Sequence, residues 1–500
     1  MLRRLSITTA CLFILVFPAA QSFADSSRQS SGMSADDSCL PFTMPSSDAL
    51  FSSAKKVFAH YFYPFPLSVE NKSASDDYYN RNYLNPQGEK GKWAANGGFL
   101  RQRPLPIGDN SEHNWQLSNM QREVRMAIDR GITGFTFDVL SAKEAAGADS
   151  RLQLLLNAAH NVDPRFKILV MPDISALKSD AEAVVSSIAT VAASPAGYRL
   201  DDGRLVVTAF NAGANSPDWW ASVFARLKAR GIAVAFVPTF LGWKAQAGAF
   251  APISHGFADW GTATAGASES MKSDAEMAHR NYGKIFMMPV DPQQYRPKDS
   301  IYWEAGNSGA FRNAWTSAID GNAEWAQLVT WSDFSESSQV EPYTDATLRK
   351  DIGTGFYDLN AFYAAWFLTG KQPPITHDVL YFFYRREPTD AASPAQSAPN
   401  KVVNGTPEND IELLAFLTAP GELKITIGGH TSVQQAPAGI TSFKVHTAPG
   451  TPIFALERGG SDVISFQGPI QIFGSAGLPS GVIDMTYWSG SASMAGVCAL

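Results

Sequence analysis

The sequence predicts an α/β protein: a (β/α)8 TIM barrel followed by a C-terminal β-sandwich. Three observations carry that prediction. Eight short, almost continuously apolar runs alternate with amphipathic helical stretches over the first two thirds of the chain. Near residue 375 the texture changes to short alternating runs broken by Gly, Pro and Asn. At 500 residues the chain is also too long for one ordinary core.

The apolar runs are KVFAHYF (56–62), GFTFDV (134–139), KILVMPD (167–173), RLVVTAFN (204–211), IAVAFVPTF (232–240), HGFADW (255–260), KIFMMPV (284–290) and AQLVTWSD (326–333). Apolar residues at nearly every position indicate strands covered on both faces, as in a parallel sheet wrapped by helices. Between them, MQREVRMAIDRG (120–131) repeats apolar residues at helical spacing. PDWWASVFARLKARG (217–231) opens on Pro and closes on Gly, the residue types that start and stop helices. A last helical pattern runs from Leu348 to Leu368. Eight such units assign residues 55–372 to the barrel. No Gly-rich phosphate loop follows the first strand, which argues against an open nucleotide-binding sheet. KQPPITHD then reads as a linker, and residues 376–500 as the β-sandwich. Its strand candidates are VLYFFYRR, IELLAFLT, ELKITIGG, TSFKVHTA, PIFALERG, VISFQGPIQIFG and GVIDMTYW.

The N-terminus indicates export. Residues 1–24 combine Arg3 and Arg4, an apolar stretch from Ile7 to Ala20, and the small-x-small run Ser22-Phe23-Ala24, the layout of a signal peptide. The apolar stretch is short of the roughly 20 residues a membrane span needs, so no membrane attachment is expected. A secreted or periplasmic location follows, with residues 25–54 as a flexible leader. Cys39 and Cys498 remain after cleavage. An oxidising compartment allows them to pair; the alternative is two unrelated thiols. The net charge is −7 for the whole chain, which argues against a nucleic-acid partner.

Catalytic groups of such barrels sit at the C-terminal strand ends. Here those ends supply His60, Tyr61, Asp138, Asp173, Asn211, Thr239, Asp259, Trp260, Trp331, Asp333 and Glu336. A single Asp there often only caps a turn. Several acids converging on one barrel mouth repel one another, and that cost points to function. Cleaving a glycosidic bond takes two carboxyl groups, one to protonate the leaving oxygen and one to activate water or attack the sugar. The segment TWSDFSES (330–337) offers Asp333 and Glu336 just past the last strand. Extended, they would stand up to about 10 Å apart; curled, they would be closer, so stereochemistry stays open on spacing alone. His60, Tyr61, Asp138, Asp173, Asp259, Trp260 and Trp331 are the candidate substrate-binding residues, with Trp331 as a wall for a sugar ring. DDYYNRNYLNPQGEKGKW (76–93) is a candidate substrate-facing loop. There is no HExxH, no His pair at ligand spacing and no GxSxG elbow, so neither a metal nor a cofactor is expected.

With these residues in view the chain resembles glycoside hydrolase family 71, the α-1,3-glucanases or mutanases. The resemblance rests on KVFAHYF, GITGFTFDV (131–139), HGFADWG (255–261) and above all VTWSDFSES (329–337), and spans about 55–500. The family motif runs tryptophan, asparagine, aspartate, aromatic, glycine, glutamate. This chain has Trp331, Ser332, Asp333, Phe334, Ser335 and Glu336, so both acids stand and Ser replaces Asn and Gly. The resemblance implies a barrel with a β-sandwich, an α-glucan polysaccharide as substrate, endo action with inversion, and Asp333 and Glu336 as the catalytic pair. Glu336 is expected as the acid and Asp333 as the base. The competing readings are a related barrel hydrolase on another polysaccharide such as α-mannan, and a non-catalytic carbohydrate-binding envelope protein.

Overall fold

The computed structural model describes residues 39–145, 147, 150–345, 350–351, 353–393, 396, 398–475 and 482–498. The expected signal peptide and the first part of the expected leader lie outside the described residues. Eight parallel strands close into a barrel: β1 (Lys56–Tyr61), β2 (Gly134–Val139), β3 (Lys167–Pro172), β4 (Leu205–Ala209), β5 (Val234–Phe240), β6 (Gly256–Asp259), β7 (Ile285–Val290) and β8 (Trp325–Leu328). Each pairs with its neighbour in sequence, and β8 returns to β1 with Val57 opposite Ala326. The helices that follow the strands in turn are α1 (Trp115–Asp129), α2 (Arg151–Val162), α3 (Ala181–Ala192), α4 (Pro217–Ala229), the single turn α5 (Ala247–Phe250), α6 (Lys272–Tyr282), α7 (Gly309–Asp320) and α8 (Gly355–Thr369).

Strand alternation sorts the side chains into two sets. Phe58, Leu169, Val206, Ala235, Val237, Ala258, Met287 and Trp325 fill the barrel interior. Their neighbours Val57, Ala59, Ile168, Val170, Val207, Phe236, Phe257, Phe286 and Ala326 pack outward with the helices. No described helix is long and apolar enough to cross a membrane.

Order begins earlier than the leader reading placed it. Leu40, Phe42 and Leu50 are buried, and the Phe42 ring meets Phe362 of α8 edge-on at 5.6 Å. A one-turn helix, Ser47–Phe51, is capped by Ser46. Three large apolar side chains in a polar stretch suffice to hold it on the barrel. Cys39 is disulfide-bonded to Cys498, with Cα atoms 5.8 Å apart, so the two ends of the described chain are tied together.

The C-terminal part is two antiparallel sheets. One contains β9 (Val379–Tyr384), β10 (Asp410–Leu417), β13 (Gly439–His446), β16 (Trp488–Ser493) and the short pair Gly496–Val497. The other contains β11 (Gly421–Ile427), β12 (His430–Ala436), β14 (Ile453–Arg458) and β15 (Ser461–Gln467). Leu380, Phe382 and Tyr384 face the second sheet, whereas Val379, Tyr381 and Phe383 face the barrel. The run VLYFFY is thus apolar on both faces because both faces are covered. Two strands differ from the sequence reading. β12 is polar and mostly exposed, so it carries no apolar signal. Of the run GVIDMTYW, residues 482–487 are loop, and the strand is WSGSAS instead. Its small residues are required by close approach: a Cβ on Gly355 of α8 would lie 2.6 Å from the Ser489 Cβ.

Between β7 and α7 a small hairpin, Gln294–Arg296 against Ile301–Trp303, leans over the barrel mouth. Lys401–Asn404, from the excursion between β9 and β10, runs parallel to its outer strand. The β-domain therefore braces a barrel loop.

Candidate active site

The alternation that fills the barrel continues to its C-terminal rim. Two residues beyond Phe58 is His60; beyond Leu169 and Met171 comes Asp173; beyond Ala258 comes Trp260; beyond Met287 and Pro289 comes Asp291. Asp138 belongs to the same set on β2. His60 is buried, with Nε2 3.7 Å from Asp138 Oδ2, and its ring meets Trp260 edge-on at 4.8 Å. Trp260 also contacts Phe210 at 4.7 Å. Asp138 is buried with Oδ1 unpartnered. Asp173 accepts the Ala176 amide at 2.9 Å; burial and then the Asp138 charge raise its carboxyl above the usual range.

Past β8 the chain makes a tight loop that carries the two acids. Trp331 and Phe334 are wholly buried and anchor it, the first against Phe135 and the second near Phe65. The Trp331 amide donates to the His60 carbonyl at 2.8 Å. Ser332 Oγ accepts from the Phe62 amide at 3.1 Å and donates to the Phe62 carbonyl at 3.2 Å, which stitches the loop to β1. The segment is curled. Asp333 Oδ1 accepts from the Ser335 amide (2.9 Å), the Ser335 hydroxyl (2.6 Å) and the Glu336 amide (3.2 Å). Both Ser residues that depart from the family motif thus hold the loop's geometry.

The two acids live in different surroundings. Asp333 is buried; burial first, and then the Glu336 charge, push its carboxyl up to about 7, against the pull of Ser335 and His60. Glu336 is partly open, its side chain 18% exposed. It is ion-paired with Arg296 at 2.9 Å and accepts from Gln294 Nε2 at 2.5 Å, both on the β7–α7 hairpin. The Arg296 guanidinium lies over Trp303, 5.2 Å from the ring centre. Asp291 closes the circle. Burial first, then Asp259 and Glu336, hold its carboxyl well above the ordinary range. Among the described residues, no group of three or more His, Cys, Asp or Glu is arranged to hold a metal ion.

A family model, Glycosyl hydrolase family 71, matches residues 109–499. The chain belongs to this family. It is 24% identical over 377 residues to the glucan endo-1,3-alpha-glucosidase agn1 of Schizosaccharomyces pombe, spanning 71% of this chain and 87% of the relative. It is 22% identical over 376 residues to the mutanase Pc12g07500 of Penicillium rubens, spanning 72% and 82%. Among solved structures it is similar to the GH99 endo-alpha-mannosidase from Bacteroides thetaiotaomicron, at 16% identity and a TM-score of 0.47, covering 62% of this chain and 97% of that one.

In this family 71 chain the mouth gathers His60, Asp138, Asp173, Trp260, Asp333 and Glu336, all read from the sequence. Three other expectations need correction. Trp331 is no sugar wall, because it is wholly buried in the barrel core. Tyr61 is buried too, stacked near Phe137, since it follows His60 and alternation turns it outward toward Glu123. Asp259 follows the inward Ala258 and accepts the amides of Gly242, Trp243 and Trp260, a turn-holding role. The two acids also differ in surroundings: Asp333 is buried without a cation, whereas Glu336 is partly open and paired with Arg296. Sequence reasoning missed Asp291, Gln294 and Arg296. Asp291 was accessible by counting two residues on from Pro289; the hairpin pair carried no local signal.

Proposed function

We propose that this glycoside hydrolase is an exported, endo-acting α-1,3-glucanase that cleaves with inversion, using Asp333 as general acid and Glu336 as general base. The observation that carries this reading is the contrast between a buried, proton-holding Asp333 and a partly open Glu336 paired with Arg296, three residues apart at the barrel mouth. The printed activities of the relatives support the linkage and the endo action. The disulfide supports an oxidising destination.

In this mechanism the Asp333 carboxyl gives its proton to the glycosidic oxygen as the bond to the anomeric carbon breaks. Glu336 takes a proton from a water molecule, whose oxygen bonds to that carbon from the opposite face. A carboxyl held at about 7 matches a general acid that works near neutral pH. Arg296 and Gln294 hold and orient the Glu336 carboxylate. Trp260, partly buried and wedged between His60 and Phe210, offers the apolar surface on which a sugar ring stacks.

The test is reducing-sugar release from a polysaccharide panel by wild type, Asp333→Asn and Glu336→Gln. Each variant should lose about 10³-fold or more in turnover with its fold intact. NMR of fresh product should show the anomer opposite to the substrate linkage. Near-wild-type turnover in both variants refutes the catalytic pair, and a retained anomer refutes inversion alone.

A further inference from the structure

Among the acids of the mouth that the mechanism above leaves unused is Asp291. Asp291 follows β7 directly, on the inward side set by Met287 and Pro289, and is 5% exposed. Buried acids are ordinarily paired with a cation or tied by hydrogen bonds. Asp291 Oδ2 has no hydrogen-bond partner. The charges that act on it, Asp259 and Glu336, are both negative, so together with burial they favour the protonated form. The backbone makes room for it at a special position. Gly261, in the HGFADWG segment, has φ +83°, and a Cβ there would lie 2.5 Å from Asp291 Oδ2. A glycine in a left-handed conformation thus lets the chain after β6 close over this carboxyl.

We propose that Asp291 is a neutral carboxylic acid that donates a hydrogen bond to a hydroxyl of the sugar bound beside Glu336, and so fixes that ring for cleavage. The proposal rests on the reading of Asp333 and Glu336 as the acid–base pair and adds a substrate-binding residue to it. A protonated carboxyl both donates and accepts, as does a sugar hydroxyl. A neutral donor can also stand beside the Glu336 carboxylate without competing with its pairing to Arg296. In the free protein Oδ2 has no hydrogen-bond partner; a sugar hydroxyl at the mouth gives the carboxyl one. Sites built to bond a hydroxyl discriminate strongly, because without it a buried polar group stays unpaired.

Three variants test this on whichever polysaccharide of the panel is cleaved. Asn offers an amide donor of the same shape, so Asp291→Asn should keep kcat/KM within about 5-fold. Asp291→Leu and Asp291→Ser remove or displace the donor and should lower kcat/KM by about 100-fold or more, with unchanged circular dichroism for at least the smaller Ser variant. Infrared difference spectra at pH 7, wild type minus Asp291→Asn, should show one protonated-carboxyl band. If Asp291→Asn is as inactive as Asp291→Ser, the residue transfers a proton or bears a charge and the proposal fails. If Asp291→Ser is as active as wild type, or the infrared band is absent, it fails as well. The failure of the underlying reading appears separately, as turnover surviving in Asp333→Asn and Glu336→Gln.

Discussion

Two regions of this molecule treat their buried acids in opposite ways. At the seam between barrel and β-domain three of them are paired with a cation. Glu304 is held by Arg385 at 2.9 Å and by the Tyr487 hydroxyl at 2.6 Å; Asp358 by Arg130 at 3.1 Å; Glu412 by Arg312 at 3.2 Å. Burial alone would raise the Glu304 carboxyl, but Arg385 and the surrounding donors bring it below the usual range. At the barrel mouth Asp333 and Asp291 are as deeply buried and have no cation; burial and neighbouring carboxylates drive both upward. The seam acids Glu304, Asp358 and Glu412 are neutralised by partners, whereas Asp333 and Asp291 are left without a cation, the arrangement that favours a held proton. Glu336 sharpens the contrast: it alone of these three mouth acids has an arginine.

The largest effect should come from breaking the seam. Arg385→Met leaves Glu304 buried without its cation and should cost about 3–5 kcal/mol in chemical unfolding at pH 7. A loss near zero would break the comparison, because it would mean the pairing is incidental. The disulfide gives the uncharged control. Cys39→Ala with Cys498→Ala should cost about 2–4 kcal/mol, independent of pH between 5 and 8, and leave kcat/KM unchanged below the unfolding temperature. A pH-dependent cost would show that the tie at the chain ends acts through the ionised seam.

How far the sequence reveals this division depends on what each feature is made of. Barrel strands were legible because their covered faces demand apolar runs, and Asp333 and Glu336 because they sit in one short motif at a strand end. Alternation was legible as well, and counted residue by residue it separates His60, Asp138 and Trp260 from Tyr61 and Asp259. Trp331 was misread because a tryptophan beside two acids looks the same whether it faces sugar or core. The arginine at Glu336 was not legible: Arg296 arrives from a hairpin 40 residues upstream, braced by a strand of the β-domain. Likewise β16 gave no signal, since its small residues answer to the α8 backbone rather than to any period of their own.

A smaller effect is expected at the mouth, with the opposite sign to the seam. The Asp333 carboxyl sits at about 7 in the folded protein, above its unfolded value of about 3.9. Between these values the unfolded chain has released its proton and the folded one has not, so stability falls as pH rises through that window. Asp333→Asn removes the decline. It should match wild type near pH 4 and be more stable by about 2–4 kcal/mol at pH 8, the upper figure being the full width of that window, while being inactive. No gain at pH 8 would mean that Asp333 is ionised at little cost, and the acid role would lose its support.

The smallest effect tests the comparison where it is weakest, behind the catalytic loop. Glu123 and Glu341 are both wholly buried there, next to Tyr61 and Trp331, and neither Glu341 oxygen has a hydrogen-bond partner. Burial pushes Glu123 up to about 7; burial and then the Glu123 charge raise Glu341 well above the ordinary range, against the pull of Arg122. These acids lack cations just as Asp333 does, yet they are not on the inward face of a strand end. If Glu341 is protonated in the folded protein, Glu341→Gln exchanges one neutral group for another of the same shape. Unfolding free energy should then change by less than about 1 kcal/mol at both pH 5 and pH 7.5. If it is ionised instead, removing an unpaired buried charge should stabilise the protein by several kcal/mol at pH 7.5 and much less at pH 5. The first result would mean that lack of a cation marks a protonated acid, and that strand-end position is what turns such an acid into a catalytic one. The second would place an uncompensated charge outside the mouth and break the comparison.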